Sequence, residues 1–281
     1  MRRTLPILIA SILLLLFTAQ TTPARPTLTR VLFIYGSVPP GTDPNDMIRI
    51  GQTGANGYSQ LVDYLFREQG HNFEEVSDLD PSVNPLRAEH LKLYDLVVLG
   101  SNNRRYAARE AGEVGNYVNG GGALLALSDS RFGLSPDRTT NALGAGELSD
   151  NDIIAQFGMY IEHDNYQVVV AGSDRFAVPT HPLLRGIGSF KGEGVSLIKV
   201  TGPPAQIVVR GNGLPLTDGH TITGKDYAIT AVAQVGLGRV AATFDRNTFF
   251  NAGVGSAGTD LNELHNRLYA YNLFDWLGRR R

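Results

Sequence analysis

The chain has 281 residues, 42% of them hydrophobic and 19% charged, with a formal net charge of -2. That balance suits one large folded domain rather than a disordered chain, and it gives no general attraction to nucleic acid or to anionic membranes. There is no cysteine, which excludes disulfides, thiolate metal sites, a thiol nucleophile and lipid attachment through an N-terminal cysteine.

The N-terminus differs from the rest. Arg2-Arg3 form a basic start, the run from Ile7 to Phe17 is apolar apart from Ser11, and Thr22-Pro23-Ala24 puts small residues where a signal peptidase cuts. The apolar run is short of the ~20 residues that span a bilayer. The expectation is a signal peptide over 1–24, a short segment at 25–29, one domain over 30–278 and a basic tail at 279–281. Such a chain is secreted or periplasmic, and it meets the membrane only if the first segment stays uncleaved.

From Arg30 onward, strand-like and helical patterns alternate. Val31 to Tyr35 is a continuous apolar run ending at Gly36, the pattern of a strand buried on both faces. A polar loop from Ser37 to about Gly57 follows. Tyr58, Leu61, Val62, Leu65 and Phe66 then recur at helical spacing, and Gly70 closes the helix. Phe73 to Val76 and Leu96 to Leu99 read as strands, the second ending in Gly100-Ser101-Asn102-Asn103. A helix over Ala108 to Val118, with Val114, Tyr117 and Val118 inward, stops at Asn119 to Gly122. The strand Ala123 to Leu127 runs into Ser128-Asp129-Ser130.

Beyond Asp150 the pattern loosens. A helix over Asp152 to Phe157 precedes strands at Gln167 to Ala171, Val195 to Val200 and Gln206 to Val209. Turns fall at Gly211-Asn212-Gly213 and Asp218-Gly219. Ala228 to Val235 and Arg239 to Phe244 flank Gly236-Leu237-Gly238, a hairpin with a three-residue turn. Leu261, Leu264, Leu268, Tyr271 and Phe274 mark a C-terminal helix ending near Gly278, with Trp276 as core. The expected fold is α/β: a mostly parallel, flavodoxin-like central sheet flanked by helices, with a β-rich insertion and a C-terminal hairpin plus helix.

Ligands of such sheets bind beyond the carboxyl ends of the strands. Polar residues cluster at four of those ends, which makes Asn102, Asn103, Ser130, Arg131, Arg246 and Asn247 the candidate ligand-binding residues. Arg104-Arg105 offers either an anion contact or a solvated charge pair. Glu162-His163-Asp164 lacks recurrent ligand spacing, so neither a metal nor any other cofactor is expected.

Three stretches carry a family resemblance. Tyr94-Asp95-Leu96-Val97-Val98-Leu99-Gly100 leads into a helix ending at Gly120-Gly121-Gly122, followed by Ala123 to Asp129. His181-Pro182-Leu183-Leu184-Arg185-Gly186-Ile187 is the second stretch, and Gly236 to Asp245 is the third. Together they resemble the class I glutamine amidotransferase-like superfamily, in its trehalose-utilisation-type, non-amidotransferase branch. The resemblance implies a nucleophile position at Ser128, flanked by the small residues Ala126 and Ser130. It also implies that Asp245-Arg246-Asn247 stands where the glutaminases have His-Pro-Glu. An aspartate, with an ordinary pKa near 3.9, cannot shuttle a proton to serine at neutral pH as histidine does. Glutamine hydrolysis is therefore not carried over.

The reading adopted from the sequence is an exported, non-catalytic domain that binds a small polar ligand or an envelope protein partner at the carboxyl edge of its sheet. The alternative is an extracytoplasmic hydrolase of esters, amides or carbohydrates. It would use Ser128 with a histidine from elsewhere in the chain, or the Asp129/Asp245 pair.

Overall fold

A computed structural model describes residues 29–35, 49–77, 86–100, 105–128, 146–162, 166–214, 221–253 and 259–278. Strands β1 (Thr29–Tyr35), β2 (His71–Ser77), β3 (Leu96–Gly100) and β4 (Ala123–Leu127) alternate with helices α1 (Ser59–Gln69), α2 (Ala88–Leu91) and α3 (Ala108–Asn119). Helix α4 (Gly146–Ile154) continues as a 3-10 turn over Ala155–Phe157. It is followed by β5 (Met159–Ile161), β6 (Tyr166–Gly172), β7 (Ser189–Val195), β8 (Ile198–Val200) and β9 (Ala205–Arg210). Strands β10 (Tyr227–Val235) and β11 (Gly238–Thr243) and helix α5 (Asn266–Gly278) complete the chain.

The main sheet runs β2-β1-β3-β4-β11-β10-β8-β5, with β9 also paired to β10. Its β2-β1-β3-β4-β11 half is parallel; β10, β8, β9 and β5 continue it antiparallel. This is the expected α/β architecture, a mixed and mostly parallel sheet with helices on both faces. Alternation along the strands divides the core. Val31, Phe33, Leu96, Val98 and Leu125 face α1 and α5, whereas Leu32, Ile34, Val97, Leu99 and Leu124 face α2, α3 and α4. Both faces of β1, β3 and β4 are dry, so each of these strands carries an unbroken apolar run.

Several local expectations shift. The predicted strand from Val195 to Val200 is two strands in two sheets: β7 pairs with β6 in a separate ribbon, and β8 joins the main sheet. Ser196 and Leu197 make the crossing. The hairpin loop has two residues, since Val235 pairs directly with Gly238; Gly236, at φ 56°, takes the left-handed position such tight hairpin turns require. Helix α5 starts at Asn266, after Leu261 and Leu264. Phe66, expected inward, is 55% exposed. Trp276 is half-buried against the core, beside His181 and under Arg239.

The amino edge of the sheet holds a buried histidine. His71 opens β2 beside Thr29 and Phe274, and neither ring nitrogen has a hydrogen-bond partner. Burial pushes its pKa down to about 4, against the pull of Asp275. As pH falls through 6.5 the unfolded chain takes up a proton on this ring, while the folded chain does not until about 4. Stability should therefore fall across that window by about 2–3 kcal/mol from this group alone. Urea unfolding of the wild type and of His71→Phe at about pH 7.5 and 4.5 should show a smaller pH dependence in the variant; equal dependence would refute the assignment.

Candidate functional site

The carboxyl ends of β4 and β11 lie side by side, so the topology brings Ser128, Asp245, Arg246 and Asn247 together. Asn102, Asn103, Asp129, Ser130 and Arg131 lie outside the described residues. The Ser128 N–H donates to Thr243 O (2.9 Å), and the Arg246 N–H donates to Ser128 O (2.9 Å). A regular parallel ladder would use the Asp245 N–H for that second bond. The extra residue ends the ladder, and the Asp245 side chain meets β7.

Asp245 is fully buried. Its Oδ2 accepts from the Glu193 N–H (2.8 Å) and from Thr248 Oγ1 (3.3 Å), and its Oδ1 accepts from the Asn247 N–H (2.7 Å). Asn247 Nδ2 donates to Glu193 O (2.7 Å), and Thr248 Oγ1 also lies 3.1 Å from Lys191 O. Side chains thus do for one edge of β7 what a neighbouring strand's backbone would do. The Gly192 backbone passes so close that an added Cβ would sit 2.6 Å from the Phe244 ring and 2.7 Å from Asp245 Oδ2. Only glycine fits there.

Ser128 is also fully buried, and its hydroxyl donates to Ser196 O (3.2 Å). Ser196 in turn donates its N–H to Phe244 O (3.1 Å). The crossing between β7 and β8 is therefore pinned over Ser128. Of the described histidines, His181 caps the 3-10 turn at Pro182–Leu184 by accepting from the Leu183 N–H (3.3 Å). His265 sits on the Ser189 backbone, His90 lies beside Tyr94, and His71 is at the opposite end of the sheet. None bonds to Ser128, so the described residues hold no serine–histidine pair. His163 and His220 lie outside them.

The other sequence candidates are also engaged. Arg105 forms a two-pronged ion pair with Asp152, whose Oδ2 further accepts the Tyr106 N–H (2.9 Å). That clamp ties the start of α3 to α4. Glu162 faces Lys199 at 4.0 Å, and burial raises its carboxyl pKa. No cluster of three His, Asp or Glu side chains able to hold a metal occurs among the described residues.

The β1 side of the edge is built differently. Buried Asn251 accepts from the Gln60 N–H (2.9 Å), capping α1 from far along the chain, and donates to Gln52 O and Gly54 O (2.9 and 2.8 Å). Tyr58 donates its hydroxyl to Arg246 O (2.7 Å) and packs on Phe33, Phe249 and Phe250. Nearby, Arg49 pairs with Glu75 and lies over the Tyr35 ring at 4.7 Å. Sequence reasoning missed Asn251, Glu193 and Ser196. Only Gly192, a glycine inside a strand, carried a signal that a backbone must pass close by.

The fold is shared with solved structures of low sequence identity. The mmIFT52 N-terminal domain aligns with a TM-score of 0.59 and 16% identity, over 89% of this chain and 97% of that one. A cytoplasmic protein from Salmonella typhimurium aligns at 0.54 and 13%, over 90% and 100%. A ThuA-like protein from Bacteroides uniformis aligns at 0.52 and 12%, over 90% and 93%. The chain thus shares an α/β fold with these structures, the ThuA-like protein among them. No protein-family model and no curated protein matches it by sequence.

Replacing Asp245 by Ala would strand the buried N–H groups of Glu193 and Asn247 at once, so Asp245→Ala should lose about 2–4 kcal/mol of stability. Ser128→Ala removes one neutral hydrogen bond and should lose about 1 kcal/mol. Urea titration of both variants checks the ranking, and a reversed order would show that Asp245 does not hold β7.

Proposed function

We propose that the chain is an exported, non-catalytic domain that binds a small polar ligand or a protein partner at the carboxyl edge of its sheet. One observation carries the non-catalytic half. Ser128 and Asp245, which stand at the positions the amidotransferase resemblance gives to nucleophile and proton shuttle, are both buried and bonded to backbone groups. A nucleophile must reach substrate with a base at hydrogen-bond distance. For Ser128 to do so, the β7–β8 crossing would have to lift off.

Export is supported by the basic start, short apolar run and small residues of 1–24. None of the described helices is long and apolar enough to cross a membrane. The strand order favours a place for the ligand. The order β2-β1-β3 reverses between β1 and β3, where a crevice opens in sheets of this kind. Tyr35 ends β1 beside that crevice, and Arg49, paired with Glu75 of β2, lies over its ring.

The test combines two measurements on the purified protein. A fluorophosphonate probe should leave the chain unlabelled, and a thermal-shift panel of sugars, amino acids and inorganic phosphate should raise the melting temperature with one class. Labelling that Ser128→Ala abolishes would establish the hydrolase reading instead. No shift with any class, together with no labelling, would favour the protein partner over the small ligand.

A further inference from the structure

Helix α5 ends at the amino edge of the sheet, and two histidines pack against its last turn. On the sheet side, His71 is enclosed by Thr29, Phe274 and Gly278; a Cβ on Gly278 would sit 2.9 Å from His71 Cε1. On the insertion side, the His181 ring lies 5.3 Å from the ring of Trp276, which Arg239 also covers.

Neither histidine is placed to carry a charge. Both His71 nitrogens are buried without a hydrogen-bond partner, so an imidazolium there would keep two unsatisfied N–H groups as well as its charge. Asp275, on the same turn, favours the cation, as a helix C-terminus does, yet burial prevails. Thr29, facing the ring from β1, is uncharged. His181 needs the lone pair of its Nδ1 to accept the Leu183 N–H, and burial lowers its pKa as well. Arg239 of β11 places a positive charge over the Trp276 ring that His181 touches.

The two sides of the His71 enclosure are not equally firm. His71 belongs to the parallel ladder of β1 and β2, which holds over seven residue pairs. The α5 turn is a helix end, whose last carbonyls have no partner within the helix; the one at Trp276 is held by Arg239. Buried Phe274 and Leu277 keep the turn in place at neutral pH.

We propose that this last turn, Phe274 to Gly278, is an acid-released latch: protonation of His71 and His181 frees it from the amino edge while the sheet stays folded. Release uncovers the starts of β1 and β2. It differs from a fall in global stability because one turn moves and the strands do not. The inference is independent of what the carboxyl edge binds.

Amide hydrogen exchange of the full chain at about pH 7.5 and 5 tests it, read as protection factors so that intrinsic exchange rates cancel. The His71 pKa is 6.5 when released and about 4 when enclosed. Protection of the turn should therefore fall about 30-fold at the lower pH from this group alone. Amides of β4 should stay more protected than the turn at both pH values. His71→Phe should lose most of the fall, and His71→Phe/His181→Gln should lose all of it. His71→Leu repeats the first measurement with a smaller side chain, in case the phenyl ring disturbs the edge. A turn whose protection does not change with pH, one that exchanges in step with β4, or one that keeps its full pH dependence in both His71 variants would each overturn the proposal.

Discussion

A buried carboxylate must be saturated with hydrogen bonds or the fold around it fails, and Asp245 meets that condition only while β7 is in place. Two of its donors are the backbone N–H groups of Glu193 and Asn247, and the third is the Thr248 hydroxyl. The dependence runs both ways, because β7 finds its partners on this side in the side chains of Asp245, Asn247 and Thr248. Beneath it Phe190 stacks on Tyr269 at 4.1 Å, and the Tyr269 hydroxyl sits 2.8 Å from both Thr230 and Thr243. The insertion, the end of β11 and helix α5 are thus joined through these hydrogen bonds and an aromatic stack.

The parallel half of the sheet was legible because its physics is local. Strands buried on both faces must be apolar throughout, and the runs 31–35, 96–99 and 123–127 show it. Helix α1 shows its period of Leu61 and Leu65 and its stop at Gly70. The helix-and-sheet frame follows from those patterns, and the positions of Ser128 and Asp245 at adjacent strand ends follow from the family resemblance.

What those side chains do was not legible. The β7 partner of Asp245 and the partner of Ser128 lie 52 and 68 positions away, and the cap of α1 comes from Asn251, 191 positions from Gln60. No periodicity records contacts of that range. The run from Val195 to Val200 misled for a related reason: it is apolar enough for one strand, yet Ser196 is held between Phe244 O and the Ser128 hydroxyl, and the chain changes sheets there. Leu264 misled in the same way, since its φ of 48° breaks the helical phase that the leucine spacing suggests.

An elbow nucleophile and an insertion strand make opposite demands on the end of a sheet. The first needs an exposed side chain and an open path for substrate, and the second needs dry, fully bonded contacts. At the ends of β4 and β11 the second demand is met: Ser128 and Asp245 are buried, Gly192 has no room for a side chain, and Asn247 bonds the backbone of Glu193. A histidine at 245 would therefore not make this strand end an active site. An imidazole cannot accept three hydrogen bonds as the carboxylate does, and it would release β7 before it could serve as a base. On this reasoning the ends of β4 and β11 are built to hold the insertion rather than to admit a substrate.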